Sequence, residues 1–223
     1  MKPIIYSIIF IVLPGVLLAQ QDKIYTTSSG ELIFSFASVD YPGTEEGSIM
    51  RFSPVFNIQN WLNYDKSENL GFFTGLSLRN VGFIHDVDET TRKKYRTYNI
   101  GIPLGIKIGN LSEKFFFFGY ELEIPINYKE KTFINEDKDD KKNIWFTGRV
   151  PPVNHSLMAG IQLPYGATLK FKYYLTNFFD DGFTESDGQG GTYKPYDNVN
   201  VNIFYFSLSF GLLKNTDFYY NEE

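Results

Sequence analysis

Apolar and polar residues alternate with a period of two along most of this chain, which is the pattern of β-strands that bury one face. The clearest example is YNIGIPLGIKI, residues 98–108, in which every second residue from Tyr98 to Ile108 is apolar. In EKFFFFGYELEIPINYKEK, residues 113–131, Glu121 and Glu123 fall on the face opposite the apolar one. The architecture must therefore provide a place for two carboxylates on a strand that is otherwise apolar and aromatic.

We identify eight such segments, and no helical period of comparable length accompanies them. Besides residues 98–108 and 116–126, they are ELIFSFASV (31–39), MRFSPVFNIQNW (50–61), LGFFTGLSLRNVGF (70–83), HSLMAGIQL (155–163), ATLKFKYYLT (167–176) and NIFYFSLSFGLL (202–213).

The connections between these segments alternate in length. Residues 63–69, 109–113 and 164–166 are short, whereas residues 39–49, 84–97, 127–154 and 177–198 are long, polar and charged. Short turns at one end and long loops at the other are typical of outer-membrane barrels. The sequence therefore predicts an all-β fold, an eight-stranded antiparallel up-and-down transmembrane β-barrel with short periplasmic turns and long extracellular loops.

In lipid, a closed barrel satisfies every strand hydrogen bond and presents its apolar face outward. The polar face then lines a lumen that eight strands make just wide enough for the protein's own side chains. We predict a lumen charge network of three acids and five bases that share this face: Glu31, Arg51, Arg79, Lys107, Glu121, Glu123, Lys170 and Lys172. Lumen packing is the favoured interpretation of these charges, and ligand binding is the alternative. A soluble lipocalin-like barrel, apolar inside, is the alternative fold.

Composition narrows the class of protein further. The chain has 223 residues, 22 Phe, 16 Tyr, no Cys and a net charge of −5, so no disulfide, lipidated cysteine or nucleic-acid partner is expected. Lys2, the apolar run 4–18 and Ala19 predict a secretory signal peptide over residues 1–19, which leaves a barrel domain over residues 20–223. The alternative is an N-terminal membrane anchor.

Four stretches give the mature chain a family resemblance: GLSLRNVGFIHD (75–86), YRTYNIGIPLGIKIGN (95–110), GYELEIPINYKEK (119–131) and LKFKYYLTNFF (169–179). They resemble the PorT-like outer-membrane β-barrel domain group of Bacteroidetes. The resemblance implies a barrel without catalytic residues and, for some members, a role in type IX secretion. The chain departs from barrels that end on an aromatic residue, because it continues to KNTDFYYNEE (214–223). Either Phe218–Tyr220 lies in a tail, or the eighth strand runs further.

Catalytic and metal-binding motifs are weak. His85 and His155 should lie near the loop end, where Asp86 could join them around a metal, but their spacing matches no known ligand signature. EDKDDKK (136–142) lacks the glycine and terminal glutamate of a calcium loop, and DGQGG (187–191) precedes no helix that could hold phosphate. We therefore expect no catalytic residue, metal or cofactor.

The resulting hypothesis is a non-enzymatic, monomeric outer-membrane protein of a Gram-negative bacterium, with a side-chain-filled lumen. It would contact outer-membrane lipid and act through its loops, or in envelope biogenesis or secretion with protein partners. A narrow channel, a barrel that binds a small molecule or lipid (lipocalin-like if soluble) and an envelope enzyme are the competing functions.

Overall fold

The computed structural model describes residues 23–40, 48–211 and 216–218. The predicted signal peptide over 1–19 and the domain start at residue 20 lie outside these residues. The strands are β1 (Lys23–Asp40), β2 (Arg51–Ser53), β3 (Ile58–Asp65), β4 (Leu70–Asp86), β5 (Thr91–Asn110), β6 (Lys114–Ile134), β7 (Asp137–Trp145), β8 (Asn154–Gln162), β9 (Thr168–Tyr174), β10 (Glu185–Ser186), β11 (Thr192–Tyr193), β12 (Asn200–Gly211) and β13 (Thr216–Phe218). The helical structure of the described residues is one 3₁₀ turn, Pro164–Gly166.

The strands close into an antiparallel ring, which confirms the predicted fold class. Around the ring the order is β1, β3, β4, β5, β6, β8, β9 and β12, and β12 pairs with β1. Closure joins the first and last strands, which removes the two free edges that an open sheet would expose to lipid.

The strand position next to β1, which β2 and β3 share, is interrupted. The prediction of one unbroken strand over residues 50–61 is therefore wrong. β2 and β3 each pair with β1, and residues 54–57 separate them. Pro54 lacks an N–H to donate, and Phe56 has a φ of 61°, so both residues break the ladder.

The register fixes the tilt of the strands. Following directly paired residues once around the ring from Phe34 leads back to β1 at Ile24, ten residues earlier. For eight strands, a stagger of this size corresponds to a tilt of roughly 40° from the barrel axis.

The predicted tight turns all lie at one end of the barrel, around residues 66–69, 111–113 and 163–167. Two predicted long loops, 84–97 and 127–154, are largely hairpins instead. β4 and β5 are joined by residues 87–90, and β6 and β7 by residues 135–136. These strands continue past the membrane region with polar residues on their outer face, which a search for apolar alternation does not detect.

A β-bulge in β6 reverses the direction of its side chains. Tyr98 pairs with Asn127, whereas Asn99 pairs with Pro125, so β6 holds one extra residue at this point. A single inserted residue turns each following side chain to the other face. Beyond the bulge, Tyr128 is buried inside the barrel.

The outer surface carries an apolar band. On β5, Leu104 is 65% exposed and Ile102 is 52% exposed, while the inward-facing Lys107 is fully buried. The outward apolar residues of β5 run from Tyr98 to Ile108, which at a tilt near 40° spans about 25 Å. That height matches the lipid-facing band of outer-membrane barrels.

The chain continues along β1 after β12. Ser29 pairs with Gly211, and β13 then pairs with Ile24–Thr26. The eighth strand position therefore runs further, as one of the two interpretations of the C-terminal segment proposed. Tyr219 and Tyr220 lie outside the described residues.

No helix in the described parts of the chain is long and apolar enough to cross a membrane.

Candidate functional site

The lumen is filled in layers that can be followed along β6. From the turn end to the loop end, its inward residues are Phe115 and Phe117, then Glu121 and Glu123, and beyond the bulge Tyr128. A layer of charge therefore lies between two aromatic layers.

A separate ion pair lies nearest the turns. The Lys107 ammonium is 2.5 Å from a carboxylate oxygen of Asp65 and donates to the Tyr25 hydroxyl at 2.9 Å and the Asn63 side-chain oxygen at 3.1 Å. Lys107 lies on the predicted inward face, but its partner Asp65 was not predicted. Asp65 falls where strand and turn meet, beyond the apolar alternation of residues 50–61.

The first aromatic layer packs next to this ion pair. It consists of Trp61, Phe73, Phe115, Phe117 and Met158. The rings of Trp61 and Phe73 stack with centroids 4.3 Å apart, and Phe117 meets Trp61 edge-on at 5.3 Å.

Glycines on the inward face make room for these rings. A Cβ atom at Gly105 would lie 2.3 Å from the Phe73 ring, and one at Gly160 would lie 2.3 Å from the Phe117 ring. Glycine is therefore required at these inward-facing positions, because the filled lumen has no room there for a larger side chain.

The central layer contains two linked sets of charges. In the first, Arg79 donates to Glu31 at 2.6 Å and to the Gln59 side-chain oxygen at 3.0 Å. The Lys170 ammonium bonds the other carboxylate oxygen of Glu31 and also donates to Gln59 at 3.2 Å. Ser209 donates to Glu31 at 3.2 Å, so this carboxylate has three donors.

In the second set, Lys172 bridges two carboxylates. Its ammonium is 2.5 Å from Glu121 and bonds Glu123 as well. Glu123 also accepts hydrogen bonds from Asn99 at 2.7 Å and from the Tyr174 hydroxyl at 2.8 Å.

The two sets meet where Arg79 lies 3.7 Å from Glu121. Six of the eight predicted network residues thus form one cluster, with three cations balancing three carboxylates, all fully buried or nearly so. Arg51 is not part of it, because its guanidinium donates to the backbone and side-chain oxygens of Asn80 at 3.1 and 2.6 Å. Lys107 is also separate. The expectation of a single network of eight is therefore wrong, and Gln59 is a member that was not predicted.

The loop end is closed by segments that fold into the barrel mouth. Phe178, Phe179 and Tyr196, from the connection between β9 and β12, pack against Phe83 and Tyr95 of the wall. The Phe179 and Tyr196 rings stack at 4.2 Å, and Phe178 meets Phe83 edge-on at 5.2 Å. The second aromatic layer therefore caps the lumen.

An ion pair holds this cap in place. Arg149 bonds Glu185 and donates to the Tyr196 hydroxyl at 3.0 Å. Its guanidinium also lies 4.7 Å from the centre of the Phe183 ring. The Arg149 hydrogen bond, together with its positive charge, lowers the pKa of the Glu185 carboxyl from its usual value. Both residues belong to segments that the sequence pattern showed only as loop.

A four-stranded sheet, which we call the platform, extends beyond the cap. It consists of residues 80–86 of β4, residues 91–98 of β5, residues 127–134 of β6, and β7. The Asn135 N–H donates to the Thr90 carbonyl at 2.9 Å, so the two hairpin tips are joined. A pocket of about 360 Å³ lies at these tips, with Asp86, Arg92 and Phe133 in its lining.

The two histidines do not form a site. His85 is buried on the inward side of β4, whereas His155 lies on the outer face of β8 and contacts the Tyr120 hydroxyl. The barrel wall therefore separates them. No group of three or more potential metal ligands occurs in the described parts of the chain.

Comparisons with known proteins give matches to solved structures alone, at low sequence identity. No family model matches the chain, and no curated protein matches it. The solved structures that match include Ail, the attachment invasion locus protein of Yersinia pestis, in complex with the heparin analogue sucrose octasulfate, at 10% identity and a TM-score of 0.39 over 86% of this chain and all of Ail. Neisserial surface protein A matches at 11% identity and a TM-score of 0.40, over 85% of this chain and 97% of the other. Both are eight-stranded outer-membrane barrels.

The class of this barrel follows from its own features. It is a closed antiparallel ring with an apolar outer band, tight turns at one end and tall hairpins at the other. This is the architecture of an outer-membrane β-barrel, which places the chain in the outer membrane of a Gram-negative bacterium.

Proposed function

We propose that this protein is a closed, non-conducting scaffold, and that it acts by presenting the platform and the capped mouth outside the membrane. The observation that carries the proposal is the filling of the lumen by two aromatic layers with a neutral charge cluster between them. A scaffold that is rigid within the membrane holds its outer elements in fixed positions, where binding functions are usually located.

A channel is the main competing function, and the lumen disfavours it. An ion would have to displace paired side chains such as Lys172 and Glu121, and then pass Phe73 and Phe117. Breaking a buried ion pair costs several kcal/mol because it leaves an unpaired buried charge.

Planar-bilayer recording tests the scaffold directly. The refolded barrel should give no regular current steps, while a large porin reconstituted in parallel conducts. Reproducible steps from the purified chain would contradict a non-conducting scaffold and favour the channel.

We propose further that the scaffold acts as a monomer, without catalysis, on a protein partner in envelope biogenesis or secretion. Closure within one chain supports the monomer, and the pocket at the hairpin tips supports a protein contact. The type IX-like role comes from the family resemblance alone. Replacing both His85 and His155 should leave any phenotype unchanged, and loss of the phenotype would favour an enzyme.

A partner can be sought by crosslinking in intact cells. Arg92→Ala with Phe133→Ala should remove a partner that binds the tip pocket. Glu68→Ala with Lys114→Ala, at the turn end, is the matched control and should retain it. A partner that both variants retain would place the contact away from the platform.

A further inference from the structure

The outer face of the platform carries a grid of cations that follows from strand pairing. Arg96 on β5 pairs directly with Lys129 on β6. One row further from the membrane band, Lys94 pairs with Lys131, which in turn pairs with Lys141 on β7. Five cations therefore occupy two adjacent rows of three strands.

The positions that directly flank this grid carry no acid, and Lys94 alone of the five also lines the tip pocket, which it shares with Asp86, Asp88, Glu89 and Glu136. The flanking positions are Gly82 and Ile84 on β4 and Asn143 on β7. Among the residues that the structure describes, none of the five cations forms an ion pair. Nearby Asp86 is bound by Arg92, at 2.6 and 3.0 Å, and Glu130 lies on the inward face.

Like charges in directly paired positions destabilise a sheet. Strands lie about 4.8 Å apart and rows about 7 Å apart, so these cations are closer together than the screening length of physiological salt, roughly 8 Å. Burial lowers the pKa of Lys94, Lys129 and Lys131, and the neighbouring cations lower it further. The folded protein tolerates this arrangement at a cost that an anion bound to the grid would remove.

The position of the grid indicates which anion. The cations begin immediately beyond Tyr98, the last outward apolar residue of β5. Lys129 and Arg96 both lie over the Tyr98 ring, at 4.9 and 5.7 Å from its centre. Trp145, 61% exposed, lies in the same row as Tyr98. Tyrosine and tryptophan mark the membrane–water interface, so the cations lie at the level of lipid headgroups.

We propose that this face binds the phosphate groups of outer-leaflet lipid, and that the five cations (Lys94, Arg96, Lys129, Lys131 and Lys141) form the binding site. The proposal rests on the membrane placement given above. Phosphate oxygens accept hydrogen bonds from both ammonium and guanidinium groups, and one doubly charged phosphate can lie between two rows. Bound lipid would then anchor the platform sheet against the membrane surface.

A thermal assay in neutral detergent tests the proposal. The temperature at which half of the barrel converts from the folded to the unfolded gel band is measured with a diphosphorylated glucosamine-disaccharide lipid, with its dephosphorylated form and with inorganic phosphate. We expect only the phosphorylated lipid to raise this temperature for the unaltered protein.

Lys94→Gln with Lys131→Gln should bind the phosphorylated lipid about 30-fold more weakly, since each basic residue at a membrane surface contributes roughly fivefold. Without lipid, the same variant should melt at a higher temperature than the unaltered barrel, because repulsion is removed. Lys66→Gln with Lys114→Gln, two exposed lysines at the turn end, is the charge-matched control and should bind like the unaltered protein. If the double variant does not fold, Lys129→Gln alone replaces it, with an expected fivefold loss.

Three results would overturn the proposal. Equal stabilisation by the dephosphorylated lipid would show that acyl chains suffice. Stabilisation by inorganic phosphate at the same concentration would show a general anion site. Undiminished binding by the variant would exclude the grid. None of these results depends on whether the lumen conducts ions. The proposal of a non-conducting scaffold and the proposal of a lipid site can therefore be refuted independently.

Discussion

At the residue scale, the fold depends on complete pairing of charges that are shielded from water. Lys172 is the clearest case, because it is the shared partner of Glu121 and Glu123. Lys172→Met should lower the free energy of unfolding by about 3–5 kcal/mol, since the buried Glu123 loses its cation and Glu121 keeps only Arg79, at 3.7 Å. Urea unfolding in lipid vesicles measures this change.

The charge-balanced pair Lys170→Met with Glu31→Gln serves as the comparison. It leaves Arg79 and Lys172 facing Glu121 and Glu123, so its cost should be smaller than that of Lys172→Met. If Lys172→Met cost less than the balanced pair, charge pairing would not be what stabilises this layer.

The inward glycines give a second residue-scale prediction. A Cβ at Gly160 would lie 2.3 Å from the Phe117 ring and 2.6 Å from the Leu169 carbonyl oxygen, whereas at Gly211 nothing lies within 4 Å. Gly160→Ala should destabilise the barrel by about 1–3 kcal/mol through overpacking. Gly211→Ala should change stability by less than about 0.5 kcal/mol. Equal effects in urea unfolding would contradict the tight packing of this layer.

The sequence predicts which face each of these residues occupies, because parity along a strand fixes it. It does not predict partners, since these depend on the ten-residue stagger, which brings Lys170 of β9 to Glu31 of β1. Arg51 shows where prediction from parity along the strand fails. It has the parity of a lumen residue, but the break in the ladder at Pro54 and Phe56 leaves its guanidinium with Asn80.

At the element scale, apolar alternation located the membrane-crossing part of the strands and missed their extensions. β5 continues through Lys94 and Arg96, which alternate with Tyr95 and Thr97. This is strand periodicity with a polar outer face, as expected where the sheet leaves lipid. The bulge between Glu123 and Tyr128 has no signal in the alternation, because Ile126 simply extends the apolar series.

The cap at the barrel mouth predicts a dependence on pH. The pKa of Glu185 is lowered in the folded state, mainly by the hydrogen bond from Arg149. A lowered pKa means that the stabilisation is complete above the usual value of 4.5 and is lost as the pH falls through the folded pKa. The cap should therefore loosen in acid below about pH 4.5.

A spin label on Thr192→Cys reports this loosening, since the chain contains no other cysteine. Label mobility should rise as the pH falls in the unaltered background. In Glu185→Gln it should be higher at neutral pH and nearly independent of pH. A mobility that is constant with pH in both backgrounds would show that this ion pair does not hold the cap.

At the scale of the whole molecule, one inversion explains the membrane-crossing strands: their unbroken apolar face points away from the barrel axis, and the buried charge cluster lies inside, between two aromatic layers. Loop length, strand length and the alternation of apolar and polar residues all favour this orientation. The fold class can therefore be predicted from the sequence alone. The cap could not, because Phe178, Phe179 and Tyr196 lie in a segment without periodicity and acquire their role only by packing against the wall.

The inversion is tested most directly by single cysteines in this cysteine-free chain. Leu104→Cys places a thiol in the middle of the outer band, Ser77→Cys places one in the lumen, and Thr192→Cys places one beyond the mouth. In intact cells, a charged, membrane-impermeant maleimide should label position 192 only. A lipid-soluble maleimide should label position 104, and position 77 should react only after unfolding. Rapid labelling of position 104 by the charged reagent would show that the apolar face is not in lipid, and would contradict a membrane-spanning barrel.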